Sequence, residues 1–372
     1  MAAPPATYHP RLSVNGYNGS MIGAAVAPVS FANDIIDYVD KLVARRQPPT
    51  ERFAFGSLTL DLSVLGDDYR RRLTAPIDFA RGPHTKCQAP AWRIIAVDGV
   101  ASGAGAPPKL NLEVTGAEHP RRDLKPSAAR LIVYYDPVTL TLRLLSSRRR
   151  LAIVWTPDAA QTPEWEDSAP LRDLFHWMTL SSECFLVHAA AIGIGNSGAL
   201  LIGPGGSGKS TTTGAAALRG LTIAGDDFVL IEPRSAQAYA LYDCIKLDSD
   251  STKRFPSLET EIVNPVRGAA EKGRIHLCQS RPQTFARSLP IAAAFLPRIA
   301  GLPSTKIVRA SPSEAVRALV PSTLSIVAGG AAEMFRKSAA FLRNLPVYHC
   351  NLGTDPFEAI DAISAFIGGL AK

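Results

Sequence analysis

Cysteine is scarce in this 372-residue chain, and the little there is lies scattered. The five cysteines, Cys87, Cys184, Cys244, Cys278 and Cys350, are odd in number and form no C-x-x-C pair. That argues against a disulfide framework or a zinc site and suits a reducing, cytoplasmic compartment. Basic clusters are missing too. A run such as Arg148–Arg150 fits a solvated strand end, and no Lys/Arg cluster is interleaved with aromatics, so no nucleic-acid partner is expected. The longest apolar segment, Cys184–Gly205, is interrupted by His188, Asn196, Ser197 and several glycines, which leaves it short of a membrane span. The N-terminus, MAAPPATYHPRL, has no basic segment ahead of an apolar core, so no secretory signal is expected. No internal repeat or low-complexity tract is present.

What remains is a chain 46% apolar and 20% charged, with a net charge of +7. It can bury a substantial core, and its length suits two domains at ~100–200 residues each. A mildly basic protein that handles nucleotides or an acidic peptide has this balance. The Pro-rich, acidic stretch Thr156–Pro170 reads as the linker, dividing a mixed, strand-rich domain over 1–165 from an α/β domain over 166–372.

In the first part, residues 1–30 read as an extended arm. Asn33–Val43 spaces Ile35, Ile36, Val39, Leu42 and Val43 along one helical face. Strands are expected over Phe53–Val64 as a pair, Trp92–Val97, Leu110–Val114 and Leu151–Trp155. A hairpin is expected from Arg130–Tyr135 and Val138–Leu145, and Gly99–Lys109 reads as a loop. In the second part a helix is expected from Asp167 or Ser168 through Met178, then a strand Cys184–Ile194 carrying His188. A tight turn at Gly195–Gly198 follows. Asn264–Pro290 reads as a basic loop and Ile291–Leu296 as a core strand. Helices are expected after Ser311-Pro312-Ser313-Glu314, over Glu333–Leu342, and from Asp355 onward. The last would bury Phe357, Ile360, Ile363, Phe366, Ile367 and Leu370.

The chemistry concentrates at Ala199–Thr213, ALLIGPGGSGKSTTT, which fits G-x-x-x-x-G-K-[ST]. An apolar run enters the motif and a helix-forming run leaves it. Gly203, Gly205, Gly206, Ser207, Gly208, Lys209, Ser210 and Thr211 then form a phosphate cradle at a helix N-terminus. Lys209 would reach the outer phosphates, and the Ser210 hydroxyl would ligate Mg²⁺. Asp226 and Asp227 end the next apolar strand. They are either turn aspartates or a working pair, one holding metal and the other taking a proton from an attacking hydroxyl. His188 is either a satisfied core histidine or an assistant to that pair. Lys246, Lys253, Arg254, Arg267, Lys272 and Arg274 could neutralise ATP or hold an acidic peptide tail, with Arg274 the first to test. Each is more readily read as a solvated surface charge.

The order His188, hairpin, GPGGSGKST, GDD resembles the HPr kinase/phosphorylase family of P-loop serine kinases. The resemblance is specific over Val187–Ile231. The chain looks most like the divergent members that phosphorylate the C-terminal serine of lasso-peptide precursors. Thr211 stands where HPr kinases carry an acidic residue. The resemblance implies a P-loop HPr-kinase-like fold over 166–372, with ATP and Mg²⁺ as cofactors, a peptide or small protein bearing a serine as partner, and assembly as a homo-oligomer. It implies His188 as the catalytic histidine, Asp226 as the base, and Asp227 with Ser210 at the metal. The 1–165 part would present the substrate. Two other readings stay open: a nucleotide-binding regulatory module without transfer, and a kinase of a free small-molecule hydroxyl.

Overall fold

The computed structural model describes residues 29–82, 90–108, 131–136, 139–268 and 271–370. The expected strand Leu110–Val114 and most of the expected arm lie outside the described residues. The fold is mixed α/β, with two large sheets. The first has six strands, in the spatial order Thr50–Phe55, Leu58–Leu65, Trp92–Asp98, Leu151–Thr156, Thr141–Ser146, Leu131–Asp136. Hairpins form its two ends, and Trp92–Asp98 joins them by parallel pairing on both sides. Alternation along that strand settles both faces. Ile95 and Val97 meet the helix Val29–Arg46 through Ile35, Ile36, Val39 and Leu42. Ile94 and Ala96 meet Leu174, Phe175, Phe228 and Tyr242 from the second half of the chain. Burial on both sides suits the near-continuous apolar sequence of these strands.

The second sheet runs Thr222–Gly225, Ala189–Ile194, Ser197–Ile202, Ser288–Leu302, Gln237–Ala240, Val229–Glu232, Phe185–Val187. Its long strand Ser288–Leu302 pairs in parallel with Ser197–Ile202 and also with Val347–Gly353, which carries the edge strand Lys306–Ala310. Helices cover both faces. Lys209–Leu218 and Pro356–Leu370 pack on one side through Ala215, Ala216, Ile360 and Ile363. Pro312–Leu324 and Ala331–Leu342 pack on the other through Leu319, Met334 and Phe341. Among the described residues no helix is long and apolar enough to cross a membrane.

Several segments depart from the sequence expectation or go beyond it. Asp67–Thr74, for which the sequence suggested no element, is helical, and Gly99–Ser102 forms a helical turn inside the expected loop. The helix expected through Met178 is broken. Trp165–Ser168 is one turn and Arg172–Thr179 another helix, with Leu171 between them in the left-handed region at φ 58°. The basic stretch after Asn264 contains a strand, Gly273–His276, paired with Cys244–Leu247. On the last helix Leu370 is 37% exposed, so the buried face stops at Ile367.

Pro312–Leu324 begins with a full capping box. Ser311 Oγ accepts from the Glu314 amide, and the Glu314 carboxylate accepts from the Ser311 amide. The Ser311 amide and hydroxyl, with His349, hold the Glu314 carboxyl down at about 2. A carboxyl depressed by folding adds stability that is complete above its unfolded pKa and is lost as pH falls through its folded one. The melting-temperature gap between wild type and Glu314→Ala should therefore be constant above about pH 4.5 and close progressively below it. A gap that widens in acid would contradict the cap.

Candidate active site

Ser197–Ile202 runs straight into Gly203, and the helix Lys209–Leu218 starts six residues later. Gly206 and Gly208 take positive φ, 79° and 99°, which turns the chain back over the helix N-terminus. A Cβ on Gly208 would sit 2.5 Å from Leu352 Cδ1, so a side chain there would force Leu352 to shift. The first helical amides have no intrahelical acceptor, because the first closing bond runs from Thr212 to the Gly208 carbonyl, 2.9 Å. Lys209 is buried and folds back onto the loop. Its ammonium donates to the carbonyls of Gly203, 2.6 Å, and Pro204, 3.0 Å. Burial lowers its pKa, and Asp226 and Asp227 oppose that shift. The Ser207 hydroxyl is buried without a partner.

Two further segments, 185–194 and 222–232, run antiparallel and are each interrupted at their centre. Val229 faces Val187 on one side of the break, and Gly225 faces Ala191 on the other. The interruption leaves His188 in one segment opposite Asp226–Phe228 in the other. His188 and Phe228 have ring centroids 5.4 Å apart. The strand expected over Cys184–Ile194 is thus two strands, and His188 is the bend between them. Its amide leaves the ladder and donates to Thr323 Oγ1, 3.0 Å.

His188 Nε2 lies 2.9 Å from Asp227 Oδ1, and the Lys246 ammonium donates to Asp227 Oδ2 at 2.5 Å. Burial works against a charged Asp227, but Lys246 and His188 outweigh it and hold the carboxyl well below the usual range. Burial likewise works against the Lys246 charge, and Asp227 raises its pKa despite that. Asp226 sits differently. It is 2% exposed, its Oδ2 accepts from the Lys246 amide at 3.1 Å, and its Oδ1 is buried without a hydrogen-bond partner. Burial raises its pKa. Asp227, expected at the metal, lines the cleft, and Asp226, expected as the base, is buried and is not part of the cleft lining.

His188 Nδ1 is 2.7 Å from Ser322 Oγ, which is also 3.1 Å from the Gly203 carbonyl. That hydroxyl has one proton and two acceptors within reach, so it ties the imidazole to the glycine loop. These groups border one cleft of about 380 Å³. Gly205, Gly206, Gly208, Lys209, Ser210 and Thr211 form one wall. His188, Asp227 and Lys246 stand opposite, with Trp165, Arg172 and Phe228 beside them. Gly203 and Ser207 support the loop from behind.

Among the six cations named from sequence, Lys246 and Lys272 line the cleft. Arg274 does not. It bridges to Asp167, 3.1 Å, and Glu164, 3.7 Å, as a strut under the Trp165 turn. Lys253 pairs with Asp250 on the surface, Arg254 donates to the Thr354 carbonyl, and Arg267 to those of Asn264 and Pro265. Ser322, Thr323, Trp165 and Arg172 were not legible as site residues. Lys246 had one usable signal, a lysine between the apolar Ile245 and Leu247 on a short strand. No group of three or more His, Cys, Asp or Glu able to cage a metal occurs among the described residues.

Gly208→Ala should destabilise the fold by roughly 1–3 kcal/mol in chemical denaturation, because an L-residue is strained at this φ and its methyl meets Leu352. In a double-mutant cycle, Leu352→Ala should recover the contact part and leave the backbone part. A neutral Gly208→Ala would mean that the loop relaxes freely.

Compared with known protein families and with curated proteins, the chain finds no match in either.

Proposed function

We propose that the chain is a kinase of the P-loop type. It would bind ATP with Mg²⁺ and phosphorylate a serine hydroxyl on a peptide or small protein, the C-terminal serine of a lasso-peptide precursor being the acceptor to try first. One observation carries the reading. A glycine loop opening a helix forms one wall of a cleft, and a carboxylate gripped by a lysine and a histidine stands on the other.

The residues fit the nucleotide and its metal. Lys209 is bound only to carbonyls of its own loop, contacts it can exchange for phosphate oxygens. The partnerless Ser207 hydroxyl and the free helix amides are donors in the same cradle. Mg²⁺ is usually held by one or two protein oxygens with phosphates and water, and Ser210 and Asp227 provide that number on the cleft surface. Bound ATP and Mg²⁺ supply the phosphoryl group and the screening of its charge.

The chain's own residues then do three things. Lys209 and the loop amides neutralise the outer phosphates. Lys246 adds a second ammonium and, with His188, keeps Asp227 ionised and oriented. Asp227 takes the acceptor's proton on a carboxylate oxygen. A weakly basic carboxylate is adequate here, because phosphoryl transfer is loose and depends mainly on positioning and charge neutralisation. Ser322 fixes the far side of the imidazole, so it is a positioning residue.

With γ-labelled ATP and a panel of serine peptides, HPr-like protein and free serine, wild type should label a peptide. Lys209→Ala should lose roughly 1,000-fold or more in turnover. Asp227→Asn should lose on the order of 100-fold or more, and Asp226→Asn less than about tenfold. The reverse ranking would return the base to Asp226. Tight ATP binding with no labelled product would favour a regulatory module. Ser322→Ala should lower kcat roughly tenfold with KM for ATP little changed, and should alter the pH profile of kcat. An unaltered profile would make its role merely structural.

A further inference from the structure

The two walls of the cleft differ in chemistry, and the difference bears on what the acceptor looks like. Beside the glycine loop are amides, hydroxyls and Lys209. The wall past Asp227 is apolar: Trp165 and Ile326 offer surface to it, and Ala169 and Phe228 are nearly buried, at 2% and 1% exposure. Phe228 follows Asp227 directly and lies against His188. Tyr242 binds this wall together, its ring edge on Phe228 and its hydroxyl donating to the Pro170 carbonyl at 2.6 Å. Ile326 lies four residues after Ser322, which holds His188, in the turn that follows the helix Pro312–Leu324. The cleft's other exposed apolar residue, Ile299, sits at the loop end, 3.9 Å from where a Gly208 Cβ would be.

Trp165 is the exception among the tryptophans. Trp92, Trp155 and Trp177 are 4% exposed or less, and Trp165 is 55% exposed. Its exposure is not slackness. Glu164 pairs with Arg274, Glu166 with Arg172 and Arg143, and Asp167 with Arg72 and Arg274. Every neighbour of the indole within the turn is anchored, and the indole alone is left facing the cleft. Of the cleft's cations, Arg172 is paired with Glu166 and Lys246 with Asp227, while Lys272 also lines it.

We propose that Trp165 and Ile326, backed by the buried Ala169 and Phe228, form the acceptor subsite and that it takes a hydroxyl whose neighbouring side chain is apolar. This rests on the phosphoryl-transfer reading for the identity of the hydroxyl's reaction. Trp165 would stack on the acceptor's apolar side chain and so hold the hydroxyl at Asp227.

The test is acrylamide quenching of tryptophan emission in the full chain. With the other indoles buried, the quenchable part reports Trp165. A non-hydrolysable ATP analogue with Mg²⁺ should leave quenching unchanged. Adding a peptide with serine flanked by Leu or Phe should reduce it by about half or more, and Gly- or Asp-flanked peptides should not. Shielding by the analogue alone would assign the indole to the nucleobase and overturn the proposal. So would equal shielding by every peptide, or by none. In turnover assays, Trp165→Ala should raise KM for the apolar-flanked peptide roughly tenfold with kcat and KM for ATP little changed, and Trp165→Phe should recover most of the loss. Shielding without labelled product would refute the kinase reading and leave the subsite standing. Labelled product without shielding would refute the subsite alone.

Discussion

One carboxylate, Asp227, sits between the Lys246 ammonium and the His188 ring, and the cleft depends on that arrangement. None of these groups tolerates burial as an isolated charge. Breaking such a set by removing one member costs about 3–5 kcal/mol, because the others remain desolvated and unpaired. Four stretches of chain converge to satisfy it. His188 comes from the segment 185–194 and Asp227 from 222–232. Lys246 comes from the strand Cys244–Leu247, and Ser322 from the helix Pro312–Leu324. The same Lys246 serves both aspartates, its ammonium on Asp227 and its amide on Asp226.

A carboxylate can reach the cleft here only because a paired ladder is interrupted. Interruption leaves backbone donors without their ladder partners, and buried donors must be satisfied somewhere. The His188 amide is taken by Thr323 Oγ1, and Thr323 passes its own proton to the Leu319 carbonyl. Gly225 makes the turn on the other segment, at φ 143°, where a Cβ would press 2.7 Å from Val229 Cγ1. Ser322 and Thr323 thus act as a pair. One supports the imidazole and the other the backbone behind it.

The legibility of these features from sequence follows physical range. The glycine loop was readable because a loop, its helix and their glycines are local, and φ and hydrogen bonding constrain them within ten residues. The helix Val29–Arg46 and the capping box at Ser311 were readable for the same reason. The stretch from Asp167 or Ser168 through Met178 was misread as one helix, because its apolar spacing hides a left-handed Leu171. The surroundings of Asp226 and Asp227 were less legible, because both follow the same strand and both are bonded by Lys246, which is distant in sequence. Ser322 is further still, 134 residues from His188, and nothing in its neighbourhood marks it.

The six-stranded sheet takes on a role in the cleft that its lack of motifs conceals. Arg143, buried on the strand Thr141–Ser146, lies 3.6 Å from Glu166 and 3.5 Å from Asp173. Glu166 in turn holds Arg172, which lines the cleft. The apolar contacts run the same way. Phe55 meets Phe175 edge to face, Phe175 meets Tyr242, and Tyr242 meets Phe228 beside Asp227. An aromatic chain and an ionic chain therefore both cross from the first sheet to the wall opposite the glycine loop. Interiors packed at crystal density transmit small displacements rather than absorb them. A change in the first sheet must then be felt at Phe228 and Arg172, so a protein reduced to the second sheet would keep the loop and lose the wall that faces it.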